Sequence, residues 1–193
     1  MQHSDAPWNE LRKAETELAA MRAATDVRVV RDHWIQFLHA IERVWSKSAA
    51  HYGKSPKWSN WHKAYLDQRR ADPLLSYLVN ARGAEEHTVE EVANPKPGSI
   101  LIRGNSSGAA YVERLRIEQG RVVEYRGDQP LEMSPAHVEL RTVVNRGKSY
   151  PPPTSHLGAP LAQDVHACAS AALAYYSGFL RVAEAKFVDS CRS

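Results

Sequence analysis

A chain of 193 residues suits one domain, or one domain carrying a substantial insertion. Hydrophobic residues make up 43%, which excludes a disordered polypeptide. The 25 basic and 22 acidic side chains give a formal charge of +3, which excludes a general nucleic-acid coat while leaving room for a local polyanion patch.

The first ninety or so residues are predicted to be helical. SDAPWNELRKAETELAAMRAA opens with Ser4 or Asp5 as a cap and Pro7 in the first turn, and Leu11, Leu18 and Met21 supply an apolar edge. Asp26 caps a second helix, in which Val30, Trp34, Phe37, Leu38, Ile41 and Trp45 recur in a four-three-four rhythm on one face. Gly53 and Pro56 stop it. A third helix spans Lys57 to about Arg70, with Trp58, Trp61 and Tyr65 as a stripe. Asp72 and Pro73 restart the chain as a cap and a first-turn proline, and Leu74, Leu75, Leu78 and Val79 form the buried side of a fourth helix. Up to residue 97 the pattern is that of an antiparallel helical bundle with short connections.

The character changes at NPKPGS, where two prolines and a glycine mark a boundary. Residues 98–148 carry β-branched and aromatic residues in alternation, with Gln119-Gly120 as a hairpin turn and HVELRTVVNRG as a further strand, three or four antiparallel strands in all. Residues 149–160 hold three consecutive prolines, which exclude helix and make an extended linker. Residues 161–193 return to helix, with Leu173, Tyr176, Leu180, Ala183 and Phe187 on the face that packs back on the bundle. The expected fold class is α+β, a helical bundle with a small antiparallel β-sheet inserted before the C-terminal helix.

The two cysteines, Cys168 and Cys191, form neither a CxxC pair nor a disulfide framework, which favours a reducing, cytoplasmic setting. The start lacks the basic-then-apolar pattern of a signal peptide, and no apolar run reaches membrane-spanning length, so no membrane partner is expected. No HExxH or HxxxH pattern occurs among the nine histidines, and no metal or other cofactor is expected. GNSSG matches the outline of a nucleophile elbow, but a strand-like stretch follows it where the elbow needs a helix, so Ser106 belongs in a loop. His137 and His156 flank prolines and turns and read as surface residues.

Two constellations carry candidate chemistry. Arg82 and His87 stand five residues apart in RGAEEH. An arginine offers a fork of donors to phosphate oxygens, and a histidine moves a proton near neutral pH. Residues five apart point about 140° away from each other in a regular helix, so the pair converges only if Gly83 ends or bends it. The competing reading has Arg82 held by Glu85 or Glu86, three and four residues on, with His87 favoured by the helix C-terminus. The second constellation is the third helix, where Lys57, Lys63, Arg69 and Arg70 interleave with the aromatic stripe, the ingredients of phosphate contact and base stacking. The alternative is an amphipathic helix with buried aromatics and solvated cations.

The stretch DPLLSYLVNARGAEEH resembles the centre of the HEPN superfamily (higher eukaryotes and prokaryotes nucleotide-binding), in which an Arg is followed after four to six residues by a His near the end of a core helix. RGAEEH fits with four intervening residues, and the preceding tryptophan helix and RRADPLL are similar to what precedes that motif in small bacterial members. The resemblance covers Asp26 to about Val92. It implies a metal-independent ribonuclease, often a toxin with an antitoxin-like protein partner, working as a homodimer in which two Arg/His pairs share one cleft. Arg82 would then hold the scissile phosphate of RNA and His87 would act on the 2′-hydroxyl or the leaving oxygen. Gly83 departs from the polar residue that commonly follows the motif arginine in active members. The alternative function is a non-catalytic interaction module.

Overall fold

The structure is a computed structural model that describes residues 2–87, 92–118 and 121–188, with the backbone alone at Glu86 and His87. Its helices are α1 (Ala6–Ala23), α2 (Val27–Tyr52), α3 (Trp58–Ala71), α4 (Pro73–His87) and α5 (Val165–Phe187). Between α4 and α5 lie β1 (Ala93–Lys96), β2 (Ser99–Ile102), β3 (Val112–Glu118), β4 (Arg121–Gly127), β5 (Leu131–Ser134) and β6 (His137–Leu140). They are followed by β7 (Val143–Asn145), β8 (Lys148–Tyr150), β9 (Ser155–His156) and β10 (Ala159–Pro160). The α+β class with a C-terminal helix after the strands is as the sequence implies. The chain divides into two compact units, Met1–Asn94 with Val138–Ser193, and Pro95–His137.

The larger unit is the helical bundle. Asp26 starts α2 as a side-chain cap, its carboxylate accepting from the Arg28 backbone N–H at 2.8 Å. The whole predicted stripe from Val30 to Trp45 is buried. α1 packs along α2, and α5 returns to pack on both. Trp34, Phe37, Tyr176 and Leu180 are among the fully buried side chains. Three of the alanines of α5, Ala169, Ala172 and Ala183, are fully buried as well, so the helix approaches its neighbours closely. Arg43, Lys47 and Lys13 all reach Glu10, which is buried at 1% exposure, at 2.8, 2.5 and 2.9 Å.

The aromatic stripe of α3 belongs to this core. Trp58 is buried and stacks on Tyr52, centroids 5.7 Å apart, while Trp61 stacks on Phe179 of α5 at 5.6 Å. His62 is sandwiched between Trp45 and Trp58 at 4.4 and 4.5 Å. Val79, expected on the buried side of α4, is half-buried; Tyr77 takes the interior place, donating its hydroxyl to the Arg141 carbonyl at 2.9 Å.

Two tight hairpins complete the unit. β7 and β8 pair antiparallel across Arg146-Gly147, both at positive φ (51° and 75°), the backbone of a primed turn. β9 and β10 pair across Leu157-Gly158 in the same manner, at 49° and 81°. That second hairpin corrects the expectation of a plain extended linker after the prolines: the turn lets the chain reverse. HVELRTVVN likewise forms two strands, β6 and β7, because the chain breaks its pairing at Arg141-Thr142.

The smaller unit is made of strand pairs. β2 pairs with β5 antiparallel, Ile100 opposite Met133. β3 pairs with β4 in a hairpin carrying two register irregularities. Its expected turn, Gln119-Gly120, lies outside the described residues. Ser106 sits in the exposed turn between β2 and β3, where no helix follows it. Where the sequence implies three or four strands within residues 98–148, that stretch holds β2 to β7 and the start of β8, and the described residues form five two-stranded sheets in all. Prolines, turns and bulges keep each pair from acquiring a third strand.

Candidate nucleic-acid interface

α4 begins where the sequence places its start. The Asp72 carboxylate accepts the Leu75 backbone N–H at 3.0 Å, and Pro73 occupies the first helical position. The helix then runs unbroken through Gly83 to His87, so the bend that a convergent pair would require is not there. Gly83 serves a different purpose. A Cβ on it would lie 2.9 Å from Nδ2 of Asn145, and that amide donates to Oδ1 of Asn80 at 3.0 Å. The glycine therefore makes room for the β7–β8 hairpin against α4.

With the helix regular, the Arg82 and His87 positions are rotated about 140° from one another. Arg82 follows Leu75 and Leu78 on the side turned towards the core and is half-buried. Glu85 and Arg31 of α2 line a small cavity of about 120 Å³ on that side, with Ile35, Val92 and Ala93. His87 falls seven residues after Asn80 and four after Gly83, so its backbone position shares their face. The side chains of Glu86 and His87, and with them the expected Arg82–Glu86 pair, lie outside the described part.

The four predicted phosphate-binding cations separate into different roles. Lys57 is exposed at the start of α3. Lys63 is exposed and tied to Asp67 at 2.7 Å. Arg69 is buried at 6% exposure, bonded to Glu42 at 2.5 Å and stacked over Trp45 at 4.0 Å. Arg70 is exposed, and the Asp67 carboxylate lies 4.0 Å from it.

Arg69 and Arg70 come together with residues that the sequence reading passed over. They line a recess of about 360 Å³ with Leu66, Ser76, Val79 and Asn80 of α3 and α4, and with Lys148 and Tyr150 of β8. Among the described residues, no carboxylate lines it. Lys148 lies 5.3 Å over the Tyr150 ring and has no ion pair among the described residues. The signal was present: NRGKSY puts a turn before a Lys-x-Tyr alternation, which sends both side chains to one face of a strand.

A second recess of about 560 Å³ runs between α3 and α5, lined by Tyr65, Gln68, Leu157, Tyr175, Gly178 and Phe179 among others. It is apolar and carries no cation. Beside it, His156 is only 13% exposed and contacts Asp72 through Nδ1 at 2.9 Å, which corrects its reading as a surface residue. The same Asp72 accepts the Leu157 backbone N–H at 2.7 Å, and Tyr175 donates its hydroxyl to Gln68 at 3.0 Å. Burial would raise the Asp72 pKa, but the Leu157 and Leu75 N–H groups and His156 outweigh it and hold the carboxyl below its usual range. Leu157, a residue strained at positive φ, is thus pinned by a charge-assisted bond. The Cys168 thiol is buried and pushed up to about 12 by desolvation and by Asp164, so it is no nucleophile at neutral pH.

Among the described residues, no three His, Cys, Asp or Glu side chains are grouped as a metal site requires, and no helix is long and apolar enough to cross a membrane. Compared with protein families, with characterised proteins and with solved structures, the chain has no match in any of the three.

Proposed function

We propose that this protein binds RNA as a HEPN-like bundle, and that Arg82 and His87 do not act as a catalytic pair within one chain. The observation that carries the second half is the unbroken course of α4 through Gly83, which turns the two positions to different sides of the helix. The first half is supported by the resemblance of DPLLSYLVNARGAEEH to the family motif and by exposed cations on α3 that core packing does not require.

A second reading remains chemically complete. In a homodimer, Arg82 of one copy and His87 of the other can face one phosphodiester, the guanidinium holding the phosphate while the imidazole moves the proton of the 2′-hydroxyl. One assay separates the two. Purified protein is incubated with single-stranded RNA in EDTA, and both retention and cleavage are followed. The binding reading expects retention, intact RNA, and the same result for His87→Ala. Cleavage that His87→Ala abolishes in a folded protein establishes the homodimeric ribonuclease instead. Absence of both retention and cleavage overturns the RNA reading and leaves a protein-interaction module.

A further inference from the structure

Three cations line the recess between α3, α4 and β8, and they are not equivalent. The charge of Arg69 is already met by Glu42 and by the Trp45 ring. Its Nε atom is nonetheless buried with no hydrogen-bond partner among the described residues, on a side chain that is 6% exposed and lines the recess. A donor buried this deeply is out of an anion's reach, so direct contact with an anion in the recess falls to the other two cations. Arg70 and Lys148 stand at the mouth, both exposed. Asp67, the acid nearest Arg70, is already occupied by Lys63 at 2.7 Å. Among the described residues, Lys148 is engaged by the Tyr150 ring alone.

The remaining lining fixes what kind of anion fits. Asn80 is spent within the fold: its Nδ2 donates to the Ser76 carbonyl at 2.8 Å, and its Oδ1 accepts from Asn145 at 3.0 Å. Ser76 adds a hydroxyl, and Val79, Leu66 and Tyr150 give an apolar and aromatic wall. Two mobile cations, a buried arginine edge and a phenol ring form a place for a phosphate next to a flat, stackable group. About 360 Å³ lies at the small end of ligand pockets, enough for one nucleotide and too little for a duplex.

We propose that this recess is a binding site for a single nucleoside phosphate, with Arg70 and Lys148 on the phosphate and Tyr150 against the base. Arg82 is not among the residues that line the site. Its choice of a nucleotide over other phosphates rests on the RNA reading above. The ligand is either a free mononucleotide or the phosphorylated end of an RNA strand.

The test uses the full chain and reads binding by calorimetry or fluorescence. The probes are AMP, adenosine, inorganic phosphate, and one short RNA carrying either a 5′-phosphate or a 5′-hydroxyl. AMP binds, adenosine does not, and Arg70→Glu or Lys148→Glu each weakens AMP by about tenfold or more, as loss of a charge-assisted contact implies. Tyr150→Ala weakens AMP while leaving inorganic phosphate unchanged. A preference for the 5′-phosphorylated RNA assigns the site to a strand end; AMP binding without that preference assigns it to the free nucleotide. Arg70 and Lys148 are exposed, so circular dichroism is expected to show both variants folded. The proposal is overturned if AMP fails to bind, or binds equally well to both charge-reversal variants. RNA binding and AMP binding that both survive the two variants sink the recess and spare the RNA reading, whereas AMP binding that the variants weaken, without any RNA binding, does the reverse.

Discussion

The two units of this chain contain similar kinds of apolar residue and do opposite things with them. In the bundle, apolar side chains recur at helical spacing and meet a second layer, so Trp34, Phe37, Tyr176 and Leu180 are wholly removed from water. In the Pro95–His137 unit they alternate along strands, yet no described residue there is buried. Leu101, Tyr111, Leu115, Ile117, Val123 and Met133 are all exposed. Three of its arginines are paired: Arg103 with Glu132 at 3.0 Å, Arg114 with Glu124 at 3.4 Å and Arg116 with Glu118 at 3.4 Å. Among its described residues the unit therefore has no buried core. Alternation makes strands, but a sheet needs a covering layer before it stabilises anything.

The sharpest way to break this comparison is to truncate one side chain in each unit. Leu180, at 0% exposure, is expected to cost about 2 to 5 kcal/mol on replacement by alanine, from lost transfer energy plus the cavity left behind. Ile117, at 48%, is expected to cost less than about 0.5 kcal/mol. Urea denaturation of the two variants measures both. An Ile117→Ala cost approaching that of Leu180→Ala means the strands are covered in solution by something, and the contrast between the units fails.

Acid titration of stability, compared between wild type and a single variant, probes one buried carboxylate of the bundle. Burial would raise the Glu10 pKa, but Lys47, Arg43 and Lys13 overcome it and hold the carboxyl at about 2 against an ordinary 4.5. The unfolded chain therefore takes up the proton first. The stability due to this group is complete above pH 4.5 and is lost as pH falls towards 2. Glu10→Gln is expected to lower stability at neutral pH by on the order of 2 kcal/mol and to flatten the loss in that interval. A wild-type acid profile with the same slope as the variant's would show that the three cations do not hold the carboxylate.

His62 gives a smaller effect at higher pH. Burial first, and the nearby Arg69 second, lower its pKa below 6.5. Its Nε2 is buried without a hydrogen-bond partner among the described residues. Here too the unfolded chain binds the proton more readily, so stability is full above pH 6.5 and declines below it. His62→Phe keeps a ring between Trp45 and Trp58 and removes the titration. Thermal melts between neutral and mildly acid pH are expected to diverge, with the variant keeping its melting temperature further into acid.

What was legible in the sequence followed from periodicity. The α2 stripe, the Asp26 and Asp72 caps and the return of the last helix are all set by local spacing and by side chains that satisfy backbone groups within four residues. The site was less legible, because its parts are brought together over long stretches of chain. Arg70 and Lys148 meet only because α4 carries the β7–β8 hairpin beside α3. Arg69 reads as one more phosphate-binding cation of α3, but its partner Glu42 sits on another helix and no spacing rule connects them. His156 was misplaced for the same reason, since the carboxylate that buries it, on Asp72, is 84 residues away.

Gly83 is the smallest of the expected effects and the one closest to the motif. Two accounts of it differ in sign. If the glycine were needed to bend α4 towards a convergent Arg82–His87 pair, alanine would remove that conformation. In the straight helix observed, alanine contributes about 1 kcal/mol through helix propensity. Against this, the new methyl group crowds Nδ2 of Asn145, the far end of a rotatable side chain, and puts its bond to Asn80 at risk, a loss of about 1 kcal/mol. The two terms nearly cancel, so Gly83→Ala is expected to change stability by less than about 1 kcal/mol. The double variant Gly83→Ala with Asn145→Ala is expected to exceed the stability of Asn145→Ala alone, because the crowding is gone and the propensity gain remains. A strongly destabilised Gly83→Ala whose loss persists without the Asn145 side chain would place the requirement in the backbone itself, and the convergent pair would have to be reconsidered.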